Sequence, residues 1–218
     1  MFSEPILERR QQVLYDQKWK KFLRRSWPFQ YIPFIEFVLG AGSMALGNAT
    51  PESDFDVIVG ARFGRIFTAR FFCFLTFSLP GWWVDHRLNK VKDRFCFNHF
   101  VTENSFRLSP PYDIYGKNLY QKLVPILGKP EIIDAFLAAN RDWVGVGINY
   151  RDDLRHLHKE SGAVKFFFEK ILGGRLGNQL ERILKAIQIR KIERSLEKER
   201  QYKPRIKYDD DELEFHWY

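Results

Sequence analysis

The chain has 218 residues, 45% of them hydrophobic, so it is long and apolar enough to bury a sizeable core, and disorder throughout is excluded. Thirty-five Lys and Arg against 27 Asp and Glu leave a net charge of +8 and a pI near 9.4, a balance that favours an anionic partner such as a nucleotide or nucleic acid. Two cysteines, Cys73 and Cys96, both inside apolar runs, argue against a disulfide framework and for a reducing cytoplasm, with each thiol acting as a small buried hydrophobe.

The first residues are polar and charged, so no secretory signal is expected. From residue 5 to 25, Ile6, Val13, Leu14, Trp19 and Phe22 or Leu23 fall near helical spacing, among seven Lys or Arg residues, and Trp27-Pro28 ends the pattern. This predicts an amphipathic helix whose basic face is either solvated or in contact with phosphate. A β-type run then spans Ile35 to Leu39 and breaks at Gly40, Gly42 and Ser43. Small residues, Ala45, Gly47 and Ala49, and the loop Thr50-Pro51-Glu52-Ser53 lead to a second β-type run ending at Val59. Strand alternation puts Asp54 and Asp56 on one face of that run, with Phe55, Val57 and Val59 on the other, toward a core.

Two carboxylates held that close call for a cation, and a hard divalent ion, Mg²⁺ above all, is held by one or two carboxylates plus substrate phosphates. The Gly-Ser turn supplies the complementary half. Gly42 permits a backbone conformation closed to other residues and lets a phosphate approach, while the Ser43 hydroxyl and N–H donate to it. Gly42-Ser43 followed by Asp54-x-Asp56 resembles the signature of the nucleotidyltransferase superfamily that includes DNA polymerase beta, over about residues 30 to 105. The resemblance implies transfer of a nucleoside monophosphate from an NTP to an acceptor with release of pyrophosphate. Asp54 and Asp56 would bind Mg²⁺ or Mn²⁺, and Gly42 and Ser43 would hold the triphosphate. Leu46 stands where smaller members often carry Arg.

The resemblance also implies a third carboxylate on a following strand. Residues 62 to 79 read as a phenylalanine-rich helix stopped by Pro80-Gly81, too short in apolar span to cross a membrane. Residues 82 to 88 and the strand 94 to 101 are expected to form an antiparallel hairpin. On it, Asp85 is the preferred third catalytic acid, alternatively an exposed partner of Arg87 or Lys90. In the rival register the third position falls to Asn98, with His99 on the opposite face.

From Asp113 the pattern turns helical. Tyr120, Leu123, Val124 and Leu127 form one stripe, Pro130 opens a second helix, and Leu176 to Ile187 continue a third. His156 and His158 are badly spaced for joint metal binding on a helix. Residues 165 to 207 carry a net charge of +8, 13 bases against five acids, and the last eleven residues carry five acids. The basic stretch either tracks a nucleic-acid backbone or is shielded by the acidic tail.

The expected fold is therefore α/β: a small, mixed, twisted sheet of about four strands, of nucleotidyltransferase type, within residues 1 to 110. A helical region at 111 to 207 and an acidic tail at 208 to 218 follow it. The expected activity is metal-dependent nucleotidyl transfer in the cytoplasm, without a membrane partner. The competing reading is a catalytically degenerate relative that binds nucleotide, nucleic acid or a partner protein.

Overall fold

A computed structural model describes residues 4–84, 91–144, 162–197 and 206–215. The chain runs α1 (Glu4–Ser26), a short 3₁₀ turn, β1 (Ile35–Gly40), α2 (Gly42–Leu46), β2 (Phe55–Ala61), α3 (Ile66–Ser78) and β3 (Phe95–Val101). It continues through α4 (Ile114–Tyr120), β4 (Val124–Gly128), α5 (Pro130–Val144), α6 (Gly162–Leu172), α7 (Arg175–Glu197), β5 (Ile206–Tyr208) and β6 (Glu212–Phe215). The fold is mixed α/β, with one six-stranded sheet in the order β4-β1-β2-β3-β6-β5. Only β2 and β3 run parallel; every other neighbouring pair is antiparallel.

Alternation along β2 divides the core between the two sheet faces. Phe55, Val57, Val59 and Ala61 join a large cluster with Trp19 and Phe22 of α1, Phe67 and Phe77 of α3, and Leu184 of α7. Ile58 lies on the other face, with Phe37 and Leu39 of β1, Leu119 and Tyr120 of α4, and Phe136 of α5. Asp56 shares the parity of Ile58 and so faces the α4 and α5 side.

Several expectations from the sequence change here. The stripe through Val124 and Leu127 is not helical: Val124–Gly128 is the edge strand β4, paired with β1. An apolar run that short does not distinguish a buried strand from a helix, and Pro125 is tolerated because β4 is an edge. Among the described residues the sheet has six strands rather than about four, because β4, β5 and β6 join it; Leu213 and Phe215 of β6 enter the core. Residues 82 to 84 do not start an antiparallel hairpin with β3. Trp83 instead forms a parallel bridge to Phe95, with Phe95 N donating to Trp82 O and Val84 N to Phe95 O. No helix among the described residues is long and apolar enough to cross a membrane.

Helix α6 presents charge inward. Lys165 Nζ donates to Ile35 O at 2.5 Å, and Glu169 accepts from Phe34 N and from Arg62, each at 2.8 Å. These contacts pin the start of β1 while Phe166 and Phe167 stay exposed. Glu181 of α7 accepts from the N–H groups of Phe67 and Thr68, placing a carboxylate at the unsatisfied N-terminal amides of α3.

Candidate functional site

The turn after β1 is built around two backbone requirements. Gly42 has φ +62°, and Gly47, which closes the single turn of α2, has φ +81°, both in the left-handed region open to glycine. Ala41 N donates to Asp56 O at 3.0 Å, so the turn is bonded directly to the strand that carries the aspartates. Asn48 N donates to Ser43 O at 3.2 Å, and Gln11 of α1 donates to the carbonyls of Gly47 and Ala49 at 3.1 and 3.0 Å.

Gly42 has a second reason to be glycine. A Cβ placed there would lie 2.2 Å from Asp56 Oδ2, so the backbone of the turn rests against the carboxylate itself. Sequence placed Gly42, Ser43, Asp54 and Asp56 in one site. In the structure Asp54 and Asp56 are half-exposed beside one another, and Ser43 is half-exposed in the turn adjoining Asp56.

The surroundings of Asp56 disfavour its charge. Removal from water and then the negative charge of Asp54 both push its carboxyl well above the ordinary carboxylate range. A cation bound between the two carboxylates would offset the repulsion from Asp54. Two half-exposed carboxylates beside one another offer hard oxygen donors of the kind that hold a divalent cation.

The third side chain at this site is Cys96. It pairs in register with Asp56 across the parallel β2–β3 ladder, and ligand atoms of Asp54, Asp56 and Cys96 lie within 4.8 Å of one another. The thiol lies beside Asp54 and Asn98; burial first, and then the charges of Asp56 and Asp54, push it well above its ordinary pKa. Asn98, the rival third position, is half-exposed next to Cys96. Asp85, the preferred third acid, lies outside the described residues, as do His156 and His158.

The register between β2 and β3 slips by one residue after Asp56: Asp56 pairs with Cys96, but Ile58 pairs with His99. This extra residue in β3 acts as a bulge and sets Cys96 and His99 on the same face. Strict alternation places them on opposite faces; Cys96 itself pairs with Asp56 before the slip, and the sequence reads it as a buried hydrophobe because it lies inside an apolar run. It belongs to neither apolar cluster, whereas Cys73 is in the core as expected.

A second acidic group lies farther along the same face. His99 Nε2 is 3.0 Å from Glu212 Oε1, His99 Nδ1 is 2.6 Å from the Tyr120 hydroxyl, and Glu214 completes the set. Here Lys207 Nζ lies 3.2 Å from Glu212 and 3.9 Å from Glu214. Burial opposes ionisation of Glu212, but the hydrogen bond and charge of His99, together with Lys207, hold its carboxyl below the usual range.

The basic face of α1 is partly internal. Lys18, only 4% exposed, donates to Ser53 O at 2.6 Å and lies 2.9 Å from Asp93, which also receives Lys21, while Arg25 reaches the Asp93 carbonyl. These contacts tie the loop entering β2 to the segment entering β3. Of the basic C-terminal stretch, Lys185 pairs with Asp210 at 2.6 Å and Lys207 with Glu212, while Arg182, Arg190, Lys191 and Arg194 on α7 remain exposed. Compared with known proteins, the chain matches no family model, no curated protein and no solved structure.

Proposed function

We propose that the chain is a metal-dependent nucleotidyltransferase that moves a nucleoside monophosphate from an NTP to an acceptor and releases pyrophosphate. The observation that carries this reading is the contact between the two halves of the site: the Gly42 backbone lies where a Cβ would meet Asp56 Oδ2 at 2.2 Å. A phosphate received by the turn is thereby brought beside both carboxylates.

In this reading Gly42 and Ser43 orient the triphosphate through backbone N–H and hydroxyl donors. Asp54 and Asp56 hold Mg²⁺ or Mn²⁺ on the edge facing that phosphate, and the ion neutralises charge on the phosphate oxygens. The chain fixes the turn to β2 through Ala41 N and to α1 through Gln11, so the phosphate and the carboxylates keep a set separation during transfer. The exposed bases of α7, which packs on the other sheet face from Asp56, offer a separate surface for an anion such as nucleic acid.

A second reading, nucleotide binding without turnover, is favoured by one observation. The strand beside Asp56 offers Cys96 and Asn98 where the resemblance implies a carboxylate. Incubation with α-labelled NTPs and a panel of acceptors, in Mg²⁺ and separately in Mn²⁺, tests the choice. Label transferred by the wild type and lost in Asp54→Asn supports transfer; nucleotide bound in both metals with no label moved supports the second reading.

A further inference from the structure

We propose that Cys96 is the third donor of this site, so that its acceptor-side ion is thiophilic, of the Zn²⁺ or Cd²⁺ type, in preference to Mg²⁺. The inference rests on the metal-site reading above and names which ion it takes. Cys96 pairs with Asp56 in register, and its Sγ and one oxygen from each aspartate lie within 4.8 Å of one another. The thiol is only 4% exposed yet is withheld from both apolar clusters and directed to polar neighbours, Asp54 and Asn98. Cys73, by contrast, sits within the large apolar cluster, where a sulfur serves packing alone.

The chemistry of the donor set decides the metal. A carboxylate in place of Cys96 would give three hard oxygens and suit Mg²⁺, whereas two oxygens and one thiolate shift selection toward softer ions. Binding exchanges the S–H bond for an S–metal bond and releases one proton to solvent per ion, with no oxidant or reductant required. The thiolate then supplies the same formal charge that a third carboxylate would.

The test is an absorption titration of the full-length reduced protein with Co²⁺ and with Cd²⁺. The wild type should develop a sulfur-to-metal charge-transfer band. That band should survive Cys73→Ser and vanish in Cys96→Ser, with Cd²⁺ affinity reduced about tenfold or more. Cys96→Asp, a second variant that restores three oxygens, should lack the band and bind Mg²⁺ more tightly than the wild type. Melting curves establish that each variant is folded. Absence of the band in the wild type, or its persistence in Cys96→Ser, overturns the inference. A parallel calorimetric titration with Mg²⁺ and a non-hydrolysable NTP separates the two claims: nucleotide bound without a sulfur band sinks the role of Cys96 alone, and a band without nucleotide binding sinks the nucleotide reading alone.

Discussion

Two groups of acids stand on the same face of the sheet, and each brings three ligand atoms within 4.8 Å of one another. At Glu212 and Glu214 the chain provides its own cation, Lys207, and closes the cluster with His99 and Tyr120. At Asp54 and Asp56 the neighbour is another acid, and the strand beside them adds a thiol. The first group fastens β6 to β3 as a buried, internally neutralised clamp. The second keeps two half-exposed carboxylates together, and their mutual repulsion costs stability. Proximity of acids alone is therefore a weak guide to a metal site.

Substitution at the two groups should produce opposite results. Asp56→Asn should lower nucleotide transfer about a thousandfold or more while leaving the melting temperature equal or higher, because it removes a repelled charge. Glu212→Gln should leave transfer near the wild-type level but cost about 2–4 kcal/mol of stability by breaking a buried charged network. Chemical denaturation and label transfer on both variants check the contrast, and equal loss of stability in the two would break it.

Gly42→Ala should act on both properties. The added methyl demands a left-handed backbone for a non-glycine residue, a strain of about 1–2 kcal/mol, and collides with Asp56. Ion affinity should fall about tenfold or more by calorimetry, whereas Gly64→Ala, also at positive φ but with open space around its Cβ, should show the strain without the loss of affinity.

The pH response should separate the groups as well. The Asp56 carboxyl is raised in the folded chain, so its contribution favours the fold below the ordinary carboxylate range and is lost as pH rises through the raised value. The Glu212 carboxyl is lowered, so its contribution is present above the ordinary range and is lost as pH falls through the depressed value. In the proposed site Asp54, Asp56 and Cys96 all donate to the ion, so Mn²⁺ should raise the melting temperature more at pH 8 than at pH 5. Asp56→Asn should flatten that difference.

The smallest effect concerns α7. Reversing Arg190 and Arg194 to Glu should weaken nucleic-acid binding without altering NTP affinity, and each lost phosphate contact should reduce the log–log salt slope on single strands by about 0.7. A salt response unchanged by both reversals would remove nucleic acid as the acceptor on this face.

The sequence made the most visible part of the site legible because its chemistry is local. Gly42-Ser43 and Asp54-x-Asp56 sit at the ends of adjacent strands, and alternation places Asp56 opposite the core-facing Phe55, Val57 and Val59. What it concealed is long-range. The in-register pairing of Asp56 with Cys96 that seats the thiol beside the aspartates is a property of the β2–β3 ladder, and no periodicity in either strand alone announces it. Likewise Asp209, Asp210 and Asp211 masked the alternation of Leu213 and Phe215 in β6, whose flanking acids find partners more than a hundred residues away in His99 and Thr102. On α6, Lys165 and Glu169 look like a solvated face until β1 is set beneath them.

The central claim, that Asp54 and Asp56 jointly hold a divalent ion against a phosphate in the Gly42 turn, is tested most directly by isothermal titration of Mn²⁺ with a non-hydrolysable NTP into the wild type, Asp54→Asn and Asp56→Asn. The account predicts metal-dependent binding in the wild type and a fall in affinity of about tenfold or more in each variant. Equal affinity in all three proteins, or nucleotide binding indifferent to the metal, would contradict it.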